Sequence, residues 1–228
     1  MRFGGKALRL AAALVGTALL GSALAGCGGN TANSDEIRIG ANFEMTGNTA
    51  NYGTSTLEGL KLAIKEANDA GGINGKKITL VEADNKSEAA ESVNAATKLI
   101  SDDHVRAIVG PATTANVIAE SQIAADNKIP VIAPDATAVD VTVENGQVKQ
   151  WIFRSFIDPQ QGDVMAKFAL DTLKAKTAVI YLDNSTDYSK SLAQVFEKVF
   201  TAGGGKVLMT EAFLGKDQDF KATLTRLR

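Results

Sequence analysis

Cysteine and histidine are scarce in this sequence, with one of each among 228 residues. A single cysteine excludes an internal disulfide. One cysteine and one histidine also exclude the usual nitrogen and sulfur metal clusters, although sites built from carboxylates stay open. His104 follows Asp102 and Asp103 in a predicted helix-to-strand turn, and we interpret it as a surface residue. We therefore expect no metal and no cofactor.

The motifs of nucleotide binding and of serine hydrolases are also missing. The sequence has no G-x-G-x-x-G after its first predicted strand, no G-x-x-x-x-G-K-[ST] and no G-x-S-x-G. Its 24 basic and 26 acidic residues give a net charge of -2, without a run of like charge that would indicate a nucleic-acid partner. No nucleophile and base stand out as a catalytic pair. We expect a protein that is not an enzyme and that binds no nucleic acid.

The N-terminus has the pattern of an export signal. Three basic residues precede an apolar run from Leu10 to Ala23, which is shorter than the roughly 20 residues of a spanning helix. Leu24-Ala25-Gly26-Cys27 then resembles a bacterial lipobox, in which Cys27 is lipidated; an ordinary signal peptide with a chance cysteine is the alternative. We predict a lipoprotein signal peptide over 1–26 and a lipidated flexible tether over 27–36. The tether would hold the protein at the outer face of the bacterial cytoplasmic membrane.

From residue 37 onward, strand signals alternate with helical periodicity. Short β-prone runs at 37–39, 78–81, 105–109, 129–133 and 151–156 are separated by apolar residues at helical spacing over 57–67, 89–100 and 114–126. This alternation predicts βαβ units and a doubly wound parallel sheet. The segment 135–150 has no regular period, and we expect it to run over the surface without regular structure.

The alternation restarts after Pro159. A helical stripe formed by Met165, Phe168, Ala169 and Leu173 is followed by predicted strands at 177–182 and 206–212, with a helix between them and another from Phe220. We predict two α/β lobes, over 37–157 and 158–228. The second lobe is small and stops inside a helical pattern, so we expect an incomplete lobe in a C-terminally truncated chain; a small natural domain is the alternative.

Four stretches carry most of the functional information. They are Met45-Thr46-Gly47 with Tyr52-Gly53, the glycine-rich turn at 70–78, Val109-Gly110-Pro111-Ala112-Thr113-Thr114, and Ile132-Ala133-Pro134-Asp135-Ala136-Thr137. In this order and at these spacings they resemble the leucine/isoleucine/valine-binding protein family, the type I periplasmic binding proteins. The resemblance runs from about Ile37 to the end of the sequence. It implies a monomeric receptor of an ABC importer, whose two lobes close on an amino acid and deliver it to a membrane permease.

The candidate ligand site follows two predicted strands. Thr113 and Thr114 lie where a strand ends and a helix begins, and a hydroxyl beside free N–H groups there is suited to an anion. Asp135, Ala136 and Thr137 follow the next strand, at the sheet edge where α/β proteins bind ligands. The resemblance implies that Thr114 binds the ligand carboxylate, whereas the Asp135 carbonyl and the Thr137 hydroxyl accept from the ammonium. A plain helix cap is the alternative for Thr114.

Three side chains leave alternatives open. The family often has a small residue where Asp135 stands, so its carboxylate either strengthens cation binding or points to solvent. The resemblance places Tyr52 on the pocket wall and Tyr188 on the second lobe, over the ligand; each is alternatively an ordinary surface or core aromatic. We expect a transport receptor for branched-chain or related amino acids. A sensor of the same fold, for amides or other small polar solutes, is the alternative.

Overall fold

A computed structural model describes residues 36–156 and 160–226. The predicted signal peptide, Cys27 and most of the predicted tether lie outside the described residues. The strands are β1 Glu36–Phe43, β2 Lys77–Asp84, β3 Ala107–Val109, β4 Val131–Ala133, β5 Val143–Glu144, β6 Gln147–Val148, β7 Ile152–Arg154, β8 Thr177–Asp183 and β9 Lys206–Phe213. The α-helices are α1 Ala50–Asp69, α2 Ala89–Ser101, α3 Thr114–Asp126, α4 Gln160–Lys167, α5 Asp187–Ala202 and α6 Lys221–Arg226.

Five strands form a parallel sheet in the order β2-β1-β3-β4-β7. The chain passes from β1 to β2 on one side and then returns, through α2, to place β3 on the other side of β1. The strand order therefore reverses between β1 and β3. In open α/β sheets such a reversal leaves a crevice at the carboxyl ends of the strands, where ligands bind.

The core of this region lies between the sheet and α2 and α3. Leu99 and Ile100 of α2 pack with Ile108 of β3 and Val131 of β4, and none of these side chains is more than 9% exposed. A smaller cluster joins Phe43 of β1 to α1. Burying a large aliphatic side chain stabilises the fold by about 1.5–3 kcal/mol, so this packing fixes where β1, β3 and β4 end.

A second, two-stranded parallel sheet pairs β8 with β9 through the crossover helix α5. Helix α4 packs on α5 through Gly162, where an added Cβ would lie 2.8 Å from the carbonyl oxygen of Leu192. The predicted apolar stripe is not the buried face of this helix, because Met165 and Phe168 are exposed while Ala166 is fully buried. The helix then continues as a π-helical turn, Phe168–Thr172.

The predicted alternation of strands and helices is confirmed, and α3 has the predicted bounds. The expectation for 135–150 was wrong in part. A 3₁₀ turn, Val139–Val141, is followed by an antiparallel hairpin of β5 and β6. Asn145 and Gly146 at its tip have φ of 50° and 76°, as a type I′ turn requires. Asn-Gly is the usual sequence for that turn, so the signal was present although the flanking strands are too short to show periodicity.

Candidate functional site

A cavity of about 430 Å³ lies at the carboxyl ends of the parallel strands, on the side where the strand order reverses. One wall comes from the loops that follow β1, β2, β3 and β4, and the other comes from the neighbourhood of α4 and α5. The size is within the range of small-molecule sites. The lining residues are Thr49, Tyr52, Ser87, Ala112, Thr113, Thr114, Ala115, Asn116, Asp135, Thr137, Phe156, Gln161, Thr186 and Tyr188.

Six of the predicted ligand-binding residues come together on this cavity. They are Tyr52, Thr113, Thr114, Asp135, Thr137 and Tyr188. Ala136 does not line it, because its side chain is 1% exposed and packs into the main hydrophobic core. The predicted lipidation site, Cys27, lies outside the described residues.

The N-terminus of α3 is partly occupied by a carboxylate of the protein itself. Glu44 is fully buried; its Oε2 accepts the N–H of Ala112 at 3.0 Å, and its Oε1 accepts the N–H of Thr113 at 3.1 Å. The same Oε1 accepts the Thr113 hydroxyl at 2.7 Å and the Asn116 amide at 2.8 Å. The N–H and the hydroxyl of Thr113 therefore both donate to Glu44. The N–H of Thr114, in the first helical turn, has no acceptor within the helix and remains suited to an anion in the cavity.

Two hydroxyls on the cavity wall lack hydrogen-bond partners among the described residues. Thr137 is 4% exposed, yet its Oγ1 is unpartnered, and the same holds for Oγ1 of Thr49. Buried polar atoms normally have a partner, so each of these oxygens has an unused hydrogen-bonding capacity beside the cavity. Arg154 fixes the loop that carries Thr137, because its Nη1 donates to the carbonyl oxygens of Thr137 and, at 3.1 Å, of Ala138.

Asp135 accepts a hydrogen bond from a residue of α1. The hydroxyl of Thr56, on α1, lies 2.5 Å from Oδ2 of Asp135 and 3.0 Å from the carbonyl oxygen of Tyr52. Asp135 itself is exposed at the end of β4. Asp135 lines the cavity, and both interpretations that the sequence left open for its carboxylate remain predictions.

The opposite wall is built around α5. Thr186 caps this helix by accepting the N–H of Ser189 at 3.3 Å, and Tyr188 follows in the first turn. The Tyr188 hydroxyl donates to Oε1 of Gln161 at 2.8 Å. Tyr52, on α1, is 60% exposed and Tyr188 is 41% exposed. Both predicted tyrosines therefore present aromatic surface to the open part of the cavity.

Beneath the cavity floor, a buried polar network continues from Asn116. The Asn116 amide also donates to Oδ1 of Asn85 at 3.2 Å, and the Asn85 amide donates to Oδ1 of Asn42 at 3.2 Å. Asn42 in turn donates to Oε2 of Glu120 and, at 3.0 Å, to the carbonyl oxygen of Ser92. All five side chains are buried, so the network ties α2 and α3 to the end of β1.

The two buried carboxyl groups in this region differ in their surroundings. Burial raises the pKa of Glu120 well above its ordinary value; the hydrogen bond from Asn42 opposes this rise, and the charge of Glu44 adds to it. Glu120 therefore favours its neutral form, and its Oε1 has no partner in the described part of the chain. Glu44, by contrast, accepts four hydrogen bonds with its two oxygens.

The loop after β1 is supported from β2. Oδ1 of Asp84 accepts the N–H groups of Met45 at 3.0 Å, Thr46 at 3.2 Å and Lys86 at 2.8 Å, and Oδ2 accepts the Thr46 hydroxyl at 2.7 Å. Partial burial alone would raise the pKa of Asp84, but these hydrogen bonds outweigh burial and lower it. The Ser87 hydroxyl accepts the N–H of Thr49 at 3.2 Å, which holds the end of the same loop on the cavity wall.

Two kinds of site are not found in the described ranges 36–156 and 160–226. No group of three or more His, Cys, Asp or Glu side chains there could hold a metal ion. No helix of the same ranges is long and apolar enough to cross a membrane.

Comparison with known proteins agrees with this fold. Residues 36–228 match the family model described as periplasmic binding protein. The chain belongs to that family. Its α/β fold with parallel sheets, and the resemblance drawn from the four motifs, are thereby confirmed. Family members are substrate-binding components of transporters and act outside the cytoplasm.

Individual relatives agree with the assignment. The Leu/Ile/Val-binding protein BraC3 of Rhizobium johnstonii is 35% identical over 193 residues, which cover 85% of this chain and 52% of the relative. The branched-chain amino acid transporter substrate-binding protein LivJ of Streptococcus pneumoniae, solved with isoleucine, is 38% identical with a TM-score of 0.75. The leucine-binding protein LivK of Thermotoga maritima is 35% identical with a TM-score of 0.76. The chain covers 53% of each of these two structures and is itself covered to 84%. It thus spans about half the length of these relatives.

Sequence reasoning missed the residues beneath the site. Glu44 follows the buried strand β1 directly, and a charged residue at a predicted sheet edge was a usable signal. Asn116 and Glu120 were harder to find, because a polar pair at i and i+4 of a helix normally marks the solvent-facing side. Here α3 is buried on that side as well.

Proposed function

We propose that this chain carries the ligand site of an extracytoplasmic substrate-binding lipoprotein of an ABC importer. The ligand is a branched-chain or closely related amino acid, bound between lobes comprising residues 37–157 and 158–228 and delivered to the membrane permease. The names of three relatives, which describe binding of leucine, isoleucine or valine, support the ligand class.

One observation carries this proposal. The cavity combines the N-terminus of α3, next to Thr114, with the buried hydroxyl of Thr137, which has no hydrogen-bond partner in the described part of the chain. A free amino acid has a carboxylate that needs donors and an ammonium that needs acceptors, because burying either charge without partners is costly. Tyr52 and Phe156 supply apolar surface for an aliphatic side chain. Binding and release need no covalent chemistry.

Isothermal titration calorimetry tests the ligand class. It is performed on the full chain, and on any longer form that its host expresses, with leucine, isoleucine, valine and a panel of other amino acids. We expect micromolar or tighter binding of a branched-chain amino acid, and at least tenfold weaker binding by Thr114→Ala, because a donor to the ligand carboxylate is lost. A folded protein that binds no amino acid would refute the proposal.

The lipid anchor is a separate part of the proposal and rests on Leu24-Ala25-Gly26-Cys27. Cells that express the chain are fed an alkyne-tagged fatty acid, and the purified protein is examined for incorporated label. We expect label on the wild-type chain and none on Cys27→Ser. Equal labelling of both would place the lipid on another residue and overturn this part alone.

A further inference from the structure

The cavity contains an isolated charge. Among the described residues that line it, Asp135 is the only one with a side chain that is charged at neutral pH. The other lining side chains are hydroxyls, amides, small apolar groups and aromatic rings. An anionic ligand would therefore meet a negative charge here without a basic side chain from the described lining to offset it. A ligand group that carries positive charge would find an acceptor.

The Asp135 carboxylate is held in place. The Thr56 hydroxyl has a single proton, and its two candidate acceptors are the Tyr52 carbonyl at 3.0 Å and Oδ2 of Asp135 at 2.5 Å. A carbonyl inside a helix already accepts a backbone N–H, whereas the shorter contact has the length of a charge-assisted hydrogen bond. The proton therefore points to Asp135, and Thr56 fixes Oδ2, while Oδ1 accepts no hydrogen bond from the residues that the structure describes.

The neighbouring carboxylate cannot take the same role. Glu44 is fully buried beneath the cavity, and its oxygens accept four hydrogen bonds from Ala112, Thr113 and Asn116. Glu44 also does not line the cavity. Within the described ranges, Asp135 is therefore the carboxylate that an ammonium group in the cavity can reach.

We propose that Asp135, oriented by Thr56, binds the ligand's amine and gives the site a preference for amine-bearing ligands over simple carboxylates. This inference rests on the proposed function and deepens it. Amino acids are bound with their ammonium at Asp135, on the loop after β4, and their carboxylate at the N-terminus of α3. Monocarboxylates of the same shape are discriminated against.

Three probes separate the two ends of the ligand: leucine, 4-methylpentanoate, which lacks the amine, and 3-methylbutylamine, which lacks the carboxylate. Calorimetry is performed on the full wild-type chain and on Asp135→Asn, which keeps the shape and removes the charge. We expect Asp135→Asn to weaken leucine and 3-methylbutylamine by about 10- to 100-fold, the usual range for a hydrogen bond to a charged group. Binding of 4-methylpentanoate should stay the same or become stronger.

The readout is the ratio of leucine to 4-methylpentanoate affinity within each variant, which general damage to the fold does not change. Thr56→Val should lower this ratio by about 3- to 10-fold, because the Asp135 carboxylate keeps its charge but loses the hydrogen bond that orients it. Thr54→Val is the matched control on the same helix, since its hydroxyl donates to the Ala50 carbonyl and it is not among the described residues that line the cavity. Its ratio should equal that of the wild type. Asp135→Ser repeats the charge removal with a smaller side chain.

The outcomes distinguish the inference from the function on which it rests. If the wild type binds leucine and both Asp135 variants keep the wild-type ratio, the inference is overturned while the proposed function stands. If the wild type binds 3-methylbutylamine through Asp135 but no amino acid, the inference stands and the proposed function falls. If the folded wild type binds no amine at all, both are overturned.

Discussion

Replacing Glu44 by glutamine tests whether the carboxylate beneath the cavity organises the site. Glutamine has the same shape, but one carboxylate oxygen becomes an NH₂ donor. If the remaining oxygen keeps the position of Oε1, it still serves Thr113 and Asn116, and the new donor then faces the N–H of Ala112. One buried backbone donor therefore loses its acceptor in the most favourable arrangement.

The magnitude follows from these bonds. An unsatisfied buried donor costs about 1–3 kcal/mol, and the hydrogen bonds that remain lose roughly half of their strength when the acceptor is no longer charged. Relief from burying a charge offsets part of this loss. We expect Glu44→Gln to lower the free energy of unfolding by about 2–4 kcal/mol, and leucine affinity to fall because the N-terminus of α3 shifts.

Urea unfolding at pH 7, followed by circular dichroism, measures this change as a lower midpoint with an unchanged slope. Glu66→Gln is the matched control, because Glu66 is exposed on α1 and its substitution should change stability by no more than about 0.5 kcal/mol. If Glu44→Gln is as stable as Glu66→Gln, the four hydrogen bonds do not organise the site and the reasoning is wrong.

Three further predictions concern the same region. On α1, Gly53→Ala should destabilise the fold by about 1–3 kcal/mol or more, because the added Cβ would lie 2.3 Å from the Glu44 carbonyl oxygen. Gly59 has open space around it, so Gly59→Ala should stabilise the fold by about 0.5–1 kcal/mol. Thermal unfolding of the two variants compares these effects. The raised pKa of Glu120 means that this residue holds a proton in the folded chain and releases it on unfolding. Its contribution to stability therefore falls as pH rises above its ordinary pKa of 4.5, by up to about 1.4 kcal/mol per pH unit. Glu120→Gln lacks this loss, so urea unfolding across pH should show the stability of this variant, relative to the wild type, rising with pH. Thr137→Val removes a hydroxyl that has no partner among the described residues, so the free energy of unfolding without ligand should stay the same or increase. Leucine affinity, measured by calorimetry, should fall about 5- to 10-fold.

Each of these has an outcome that contradicts it. Equal effects of alanine at positions 53 and 59 would show that the close approach of α1 to the end of β1 is not rigid. Parallel stability curves for the wild type and Glu120→Gln would mean that Glu120 does not retain its proton on folding. A loss of stability in Thr137→Val without any loss of affinity would assign the hydroxyl to the fold and remove it from the site.

Much of the fold was predictable because short-range sequence patterns indicate most of its helices and strands. The helix Thr114–Asp126 begins at a Thr-Thr pair after a strand, and its bounds were predicted correctly. The hairpin at Asn145 and Gly146 was missed even though its turn residues are characteristic, because strands of two residues are too short to show alternation. The face of α4 was also not predictable, since Gly162 and Ala166 pack there in place of larger apolar side chains.

The sequence alone determined the class of fold and the four motifs, because strand and helix periods and turn residues are local properties. It also predicted the edge of the sheet at which we propose that a ligand binds. Only the tertiary structure decided how that edge is used. It gives both donors of Thr113 to the buried Glu44, buries Ala136 in the core and brings Thr56 to the Asp135 carboxylate across 79 residues of chain. Such contacts depend on how distant segments pack, and nothing in the local sequence of either partner specifies the other.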